Sequence, residues 1–218
     1  ERLALRTTLL LIFAGTLFYF LLERSESLAG NSLTGQMVTS FFGSVTARTA
    51  GFNIVDLTLW SFPTLFLIIF LMWVGSSPGS TGGGIKTTSL ALAVMAVFNF
   101  CRGKKHLEIG NREIGQGTFI RVLSVIVLSI AIIFFAFMIL MILNPAKHPA
   151  HLLFECVSAF STTGLSVVNT PTLNFYSQLV LIVLMFVGRI GPVVLLSGLL
   201  LTKQKETYRL PVEDVSIN

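Results

Sequence analysis

The chain has 218 residues, of which 53% are hydrophobic and only 11% are charged, and its formal net charge is +5. A soluble domain carries about 25% charged residues, so this composition excludes an ordinary soluble protein and predicts an integral membrane protein. The net positive charge does not predict nucleic-acid binding, because nearly all basic residues lie in loops around apolar segments, where they determine topology.

Four apolar segments are long enough to cross a bilayer, whose hydrocarbon core of about 30 Å takes roughly 20 helical residues. The first and third are single spans, and the fourth is interrupted at Gly188-Arg189. The second continues beyond a glycine-rich interruption. In chain order the spans are Thr7–Leu22, Leu57–Val74 continuing as Ile85–Phe100, Val122–Leu143 and Phe175–Leu201. The sequence therefore predicts an all-α fold.

Two further apolar segments, residues 37–45 and 151–160, are too short to cross a bilayer. Each leads into a run rich in Thr, Ser and Gly, TARTAGFN and STTGLSVVN. Non-helical backbone at membrane depth is tolerated where it lines a water-filled path, and its carbonyl groups can replace the hydration shell of an ion. The pattern predicts two re-entrant pore loops, and the alternative is two small polar loops on the outer side.

The sequence GSSPGSTGGG at residues 75–84 interrupts the second span. Residues 57–100 would form one helix of about 66 Å, twice the thickness of a bilayer. A water-exposed turn between two full spans would move the basic cluster at 102–105 outside, against the positive-inside rule. Because Gly and Pro disfavour helix, we predict one broken span with an unwound loop at membrane depth. Ile85 separates Gly84 from Lys86, so the stretch does not match a nucleotide-binding P-loop.

The positive-inside rule places both ends of the chain in the cytoplasm. With that orientation, ten of the fifteen Lys and Arg residues are cytoplasmic: Arg2, Arg6, Arg102, Lys104, Lys105, Arg112, Arg121, Lys203, Lys205 and Arg209. Carboxylates on the outer side either concentrate cations at a pore mouth or are ordinary loop charges; these are Glu23, Glu26, Asp56 and Glu155.

The two halves of the chain align at an offset of 113 positions, which places Gly51 on Gly164 and Phe41 on Phe154. The same offset sets MWVG at 72–75 against MFVG at 185–188. This pattern predicts two tandem membrane–pore-loop–membrane repeats. The predicted regions are a repeat at 1–101 with a gate loop at 75–86, a cytoplasmic basic linker at 102–118, a repeat at 119–202 and a cytoplasmic tail at 203–218.

TARTAGFN, STTGLS and GSSPGSTGGGIKT together resemble the Trk/Ktr/HKT superfamily of potassium and sodium transporters. The match is to the C-terminal half, that is, to the third and fourth of four repeats, and the tail LPVEDVSIN is closer to the KtrB-like membrane subunit than to TrkH. The resemblance implies a multi-pass protein of the cell (plasma) membrane that takes up potassium. It also implies that two further repeats, or a second copy of the chain, complete the pore.

The resemblance assigns roles to individual residues. The selectivity filter comprises Ala47, Arg48, Thr49, Ala50, Gly51, Phe52, Ser161, Thr162, Thr163, Gly164 and Leu165. The gate comprises Gly75, Ser76, Ser77, Pro78, Gly79, Ser80, Thr81, Gly82, Gly83, Gly84, Lys86 and Arg189. K⁺ is expected at the carbonyl groups of Thr49, Ala50, Thr162 and Thr163.

Three charged residues carry specific expectations. Arg189 is expected beside the gate loop as a positive barrier to cations, since the matching arginine of the family has that role. Lys86 is expected to donate hydrogen bonds to loop carbonyl groups. Arg48 would repel permeant cations, so its side chain is expected to point behind the filter toward an acidic partner such as Glu155.

Glycine at both filter positions favours K⁺ over Na⁺ by the logic of the family. A sodium-coupled or sodium-permeable secondary transporter is the alternative. An enzyme is not expected, because the sequence offers no nucleophile–base pair, metal-ligand cluster or carboxylate dyad, and no organic cofactor is expected. Membrane lipid is an expected partner. The resemblance implies two more, a second copy in a homodimer and a cytoplasmic nucleotide-binding regulatory ring docked on residues 102–121 and the tail from Lys203.

Overall fold

A computed structural model of the chain describes residues 2–75, 77–103, 108–109, 112–113 and 115–191. Seven α-helices lie within this part of the chain: α1 Arg2–Glu23, α2 Leu33–Thr46, α3 Phe62–Trp73, α4 Thr87–Cys101, α5 Gln116–Leu143, α6 Pro149–Ser161 and α7 Phe175–Ile190. Two single 3₁₀ turns precede α3 and α7, at Leu57–Leu59 and Thr170–Thr172. A minimal antiparallel pair, β1 Glu108–Ile109 and β2 Arg112–Glu113, lies in the predicted linker.

Among the residues that the structure describes, two helices are long and apolar enough to cross a membrane, over residues Leu3–Glu23 and Gly117–Leu143. Helix α5 begins at Gln116, before the predicted span start at Val122. The difference arises because Gln116, Thr118 and Arg121 lower the mean hydropathy of the first turns, so hydropathy detects only the strongly apolar part of the helix. The predicted continuation of the fourth span beyond Gly191, and the tail at 203–218, lie outside the described residues.

The second apolar segment is interrupted as predicted, since α3 ends at Trp73 and α4 begins at Thr87. The two ends of the intervening loop meet, because the backbone N–H of Ile85 donates to the carbonyl oxygen of Trp73 at 3.0 Å. Gly75 also packs on Gly84, where a Cβ built on Gly75 would lie 3.4 Å from the Gly84 Cα. The interruption is therefore a closed loop rather than an extended connection.

The short helices α2 and α6 have different surroundings. Helix α6 packs against α3, α5 and α7, and its residues from Phe154 to Ser161 are all buried. Helix α2 packs mainly on α1. Its outer face exposes large apolar side chains, namely Leu33, Met37, Val38 and Phe41. One short helix thus lies in the core of the described structure, whereas the other covers its edge.

A buried carboxylate joins α1 to α3. Glu23, the last residue of α1, is 0% exposed and accepts hydrogen bonds from the Ser61 backbone N–H at 3.0 Å and the Ser61 hydroxyl at 2.7 Å. Its other oxygen accepts from the Ser27 hydroxyl at 2.6 Å. Glu155 is also buried, while Glu26 and Asp56 are exposed. Of the four predicted outer carboxylates, two are therefore anchored inside the protein and do not form an exposed mouth.

Candidate functional site

The loops that follow α2 and α6 share an unusual backbone conformation. Thr49 and Gly51 have φ values of 68° and 75°, and Thr162 and Gly164 have values of 55° and 93°. Thr49 and Thr162 are 113 positions apart, and so are Gly51 and Gly164. A left-handed conformation costs a non-glycine residue roughly 1–2 kcal/mol, and such strain is concentrated at functional sites. The geometry therefore marks the two threonines as the strained points of these loops.

The two loops touch through their glycines. A Cβ on Gly51 would overlap the carbonyl oxygen of Thr163 and would lie 3.6 Å from the Cα of Gly164. Only glycine fits this position, because the obstructing atom belongs to backbone rather than to a movable side chain. The structure thus brings together the residues that the sequence assigns to the two halves of a filter.

A hydroxyl from each short helix holds the carbonyl group that follows the loop glycine. The Thr46 hydroxyl donates to the carbonyl oxygen of Phe52, and the Ser158 hydroxyl donates to that of Leu165 at 2.6 Å. Phe52 and Leu165 are again 113 positions apart. These bonds orient each carbonyl group toward the helix that precedes its loop. The predicted K⁺ ligands, the carbonyl groups of residues 49, 50, 162 and 163, come before Phe52 and Leu165 in the sequence.

The glycine-rich loop lies directly against the second of these loops. The backbone N–H of Gly83 donates to the Thr162 hydroxyl oxygen at 2.9 Å. A Cβ on Gly83 would lie 2.7 Å from the carbonyl oxygen of Phe160 and 3.1 Å from that of Gly188. A Cβ on Gly188 would itself overlap the Phe160 carbonyl group. The backbones of the glycine-rich loop, the end of α6 and the end of α7 therefore meet without an intervening side chain.

Lys86 holds the glycine-rich loop in shape. Its ammonium group donates to the carbonyl oxygens of Ser80 at 3.1 Å and Gly82 at 2.7 Å, which confirms the prediction for this residue. On the other side, the Ser77 hydroxyl lies 3.4 Å from the Thr8 hydroxyl of α1. Residues 78–81 form an exposed tip, and Gly82 and Gly83 are buried. The predicted gate residue Ser76 lies outside the described residues.

Arg189 lies in the last turn of α7, directly after Gly188, and its side chain is exposed. It is near enough to Lys86 for the two positive charges to repel each other. Because the Gly188 carbonyl group borders Gly83, this position is beside the glycine-rich loop, as the sequence predicts.

The predicted pairing of Arg48 with Glu155 is wrong. The Arg48 Nη1 atom donates to the carbonyl oxygen of Thr8 in α1, at 3.0 Å. Glu155 instead accepts hydrogen bonds from Ser166 and from the backbone N–H groups of Val167 and Val168. The arginine follows α2, which packs on α1, so a carbonyl group of α1 is within its reach. Sequence reasoning also missed that Thr8, a polar residue on an apolar helix, contacts both Arg48 and the glycine-rich loop.

Within the described residues, no group of three or more His, Cys, Asp or Glu side chains could hold a metal ion. The two loops and the helices before them contribute backbone carbonyl oxygens and the hydroxyl groups of Thr46, Ser158 and Thr162 to this region. Such neutral oxygen atoms are the ligands that replace the hydration shell of a monovalent cation in selectivity filters.

A family described as "TrkH: Cation transport protein" matches residues 3–205 of the chain. The chain belongs to the TrkH family of cation transport proteins. A crystal structure of the potassium transporter TrkH from Vibrio parahaemolyticus superimposes with a TM-score of 0.75 at 21% identity, covering 92% of this chain and 44% of that one. This likeness shows the fold of the family.

Three relatives are similar to the chain in sequence. Ktr system potassium uptake protein B of Vibrio alginolyticus is 42% identical over 196 residues, 89% of this chain and 43% of the relative. Ktr system potassium uptake protein D of Bacillus subtilis is 39% identical over 95% of this chain and 46% of the relative. Potassium/sodium uptake protein NtpJ of Enterococcus hirae is 32% identical over 100% of this chain and 49% of the relative. The chain spans less than half the length of these relatives.

The family membership agrees with the resemblance that the motifs indicate, and the family and its relatives are described as transport or uptake proteins. The names of its relatives assign them potassium uptake, with sodium added in one case.

Proposed function

We propose that this chain forms half of a pore for potassium uptake across the cell membrane. In this proposal residues 47–52 and 161–165 are two sides of a selectivity filter, and residues 75–86 with Arg189 form its gate. The observation that carries the proposal is the hydrogen bond from Gly83 to the Thr162 hydroxyl. It places the glycine-rich loop in direct contact with the loop whose backbone is strained at Thr162.

The two-repeat organisation is supported by similar backbone conformations at positions that are 113 residues apart. Thr49 and Thr162, and likewise Gly51 and Gly164, have positive φ values 113 positions apart. The helix order also recurs, since a long helix, a short helix and an apolar helix appear as α1–α2–α3 and as α5–α6–α7. These features favour two copies of one membrane–pore-loop–membrane unit.

The named relatives are about twice as long as the chain, so we propose that its two repeats are one half of the complete pore. The exposed apolar face of α2 is the proposed contact for what completes the pore, because the corresponding helix α6 is buried by its neighbours. Two preceding repeats or a second copy of the chain would serve this purpose. The proposal further includes a homodimer, and a cytoplasmic nucleotide-binding ring on the basic segment at 102–121.

Potassium is proposed as the main transported ion because glycine occupies both filter positions and the Ktr relatives are named for potassium uptake. Sodium-coupled or sodium-permeable transport is the second candidate, and the name of the NtpJ relative favours it. Both termini are proposed to lie in the cytoplasm, which the distribution of basic residues favours.

Radioactive rubidium uptake into liposomes that contain the purified protein tests this function. We expect rubidium, a K⁺ substitute, to accumulate down its gradient without any sodium gradient, and unlabelled K⁺ to compete better than Na⁺. Protein-free liposomes provide the background. Uptake that requires a sodium gradient would favour the coupled transporter, and no uptake above background would contradict the conduction proposal.

Replacement of Arg189 by alanine is expected to increase rubidium uptake, because it removes a positive charge beside the gate loop. An exposed charge of this kind contributes at most about 1 kcal/mol, so a rise of up to about fivefold is expected. Arg189→Lys keeps the charge and serves as the control, with uptake near that of the unmodified protein. Equal uptake by the alanine and lysine variants would remove the barrier role.

A further inference from the structure

The side chain of Glu155 in α6 is buried, with the residue 4% exposed, and its carboxylate accepts several hydrogen bonds. Its Oε1 atom accepts from the Ser166 hydroxyl at 2.8 Å, the Val167 N–H at 2.8 Å and the Val168 N–H at 3.0 Å. Its Oε2 atom accepts from the Thr170 hydroxyl at 3.4 Å. No salt bridge to this carboxylate is found among the described residues, so hydrogen bonds alone compensate for its burial.

The donors follow the proposed filter segment 161–165 directly in the chain. Glu155 precedes the same segment by about one and a half helical turns, so its carboxylate joins the helix before the loop to the backbone after it. Ser158 reinforces the connection, since its hydroxyl donates to the carbonyl oxygen of Leu165 at 2.6 Å. Its own carbonyl oxygen accepts from the Thr163 N–H at 3.0 Å. Residues 161–165 are therefore fixed at both ends.

This anchor belongs to one loop and not to the other. The offset of 113 positions aligns Glu155 with Phe42, which has no carboxylate to offer. The anchored loop is also the one whose threonine hydroxyl accepts the hydrogen bond from Gly83. Its geometry is thus fixed by Glu155 on one side and contacted by the glycine-rich loop on the other.

We propose that Glu155 is a positioning residue that sets the spacing of the filter carbonyl groups and thereby the preference for K⁺ over Na⁺. The inference rests on the proposed filter. Backbone carbonyl groups discriminate between cations only while their positions are maintained. Loss of the carboxylate would leave the N–H groups of Val167 and Val168 without an acceptor in a buried setting, and the segment would have to rearrange.

Glu23 provides a matched control. It is also a buried carboxylate with serine and backbone donors, but it joins α1 to α3, and its hydrogen-bond donors Ser27 and Ser61 belong to neither loop. The experiment compares Glu155→Leu and Glu155→Gln with Glu23→Leu and Glu23→Gln. The leucine variants remove the acceptor, whereas the glutamine variants restore a neutral acceptor oxygen of the same reach.

The first readout is the K⁺ to Na⁺ preference in competition for rubidium uptake. Glu155→Leu should lower it about tenfold, the ratio that corresponds to one lost hydrogen bond to a charged group, and Glu155→Gln should recover most of it. Both Glu23 variants should keep the unmodified preference. A normal preference in Glu155→Leu, or an equal loss in Glu23→Leu, would overturn the inference.

The second readout does not require conduction. Because K⁺ that binds only the folded protein stabilises it, the thermal unfolding midpoint in detergent should be higher in K⁺ than in Na⁺. Glu155→Leu should abolish this difference, whereas Glu23→Leu should lower both midpoints and keep it. A retained difference in Glu155→Leu would refute the inference even if the protein conducts. A difference in the unmodified protein without rubidium uptake would refute conduction alone, and the absence of both would refute both proposals.

Discussion

Replacement of Gly51 by alanine is expected to lower rubidium uptake at least about tenfold and to remove the preference for K⁺ over Na⁺. Two costs combine at this position. Gly51 has a φ of 75°, which strains an alanine by roughly 1–2 kcal/mol, and the added Cβ would overlap the Thr163 carbonyl oxygen. Because of this overlap, the Thr163 carbonyl oxygen must move for the variant to fold, and that oxygen is a proposed K⁺ ligand. Rubidium uptake with K⁺ and Na⁺ as competitors measures both effects.

Gly164→Ala is the matched variant for this prediction. Gly164 has the same place in the other loop and a φ of 93°, but the nearest atom to its added Cβ would be the Gly51 Cα at 4.0 Å. Strain is therefore present without overlap, and a smaller loss is expected. Equal losses in the two variants would attribute the effect to backbone strain alone, and normal uptake by Gly51→Ala would argue against the filter.

Deletion of residues 77–83 is expected to raise rubidium uptake about tenfold. The deletion removes the Gly83 N–H that binds the Thr162 hydroxyl and the carbonyl groups of Ser80 and Gly82 that Lys86 holds. One such hydrogen bond contributes about 1.4 kcal/mol, at the upper part of the usual range. If the loop obstructs the path, the loss of one bond therefore raises the ratio of open to closed protein about tenfold. Initial rates of uptake into liposomes give the measurement.

Two comparisons support the interpretation of this deletion. Gly83→Ala should raise uptake more weakly than the deletion. Its Cβ would lie 2.7 Å from the Phe160 carbonyl oxygen and would displace the loop from the end of α6. Gly30→Ala, whose Cβ would meet no atom within 4 Å, should leave uptake unchanged. Choline must remain excluded in every variant, which shows that the pore rather than a damaged bilayer carries the ions. Unchanged uptake in the deletion variant would show that residues 77–83 are not a gate.

Much of this fold follows from one-dimensional patterns. Apolar length predicts α1 and α5, and the concentration of Gly, Ser and Pro predicts the break between α3 and α4, because each signal depends on local composition. The family resemblance assigns Gly51 and Gly164 to one filter, and the structure places their loops in contact. The family itself could be predicted from three short motifs, which its match over residues 3–205 confirms.

Long-range partners could not be predicted in this way. Arg48 was expected to face Glu155, but it binds the Thr8 carbonyl group because α2 packs on α1, and a sequence pattern does not specify that packing. The hydrogen-bond partners of Glu155 could not be predicted either, since a carboxylate near an outer loop has the same sequence signature whether it faces water or two backbone N–H groups. The short β pair at residues 108–113 also escaped detection, because two-residue strands carry no periodic signal.

The junction of Gly83, Phe160 and Gly188 has a consequence for how this protein can evolve. At that point three stretches of main chain are in contact, so neither glycine can be exchanged without displacing backbone that belongs to a different helix or loop. Natural variation is therefore expected to accumulate on the lipid-facing surfaces, while these two sites stay invariant among homologues that keep the same architecture. A deep mutational scan would show the contrast as two depleted columns, whereas Gly30 and Gly117, where an added Cβ would meet no atom within 4 Å, would tolerate substitution.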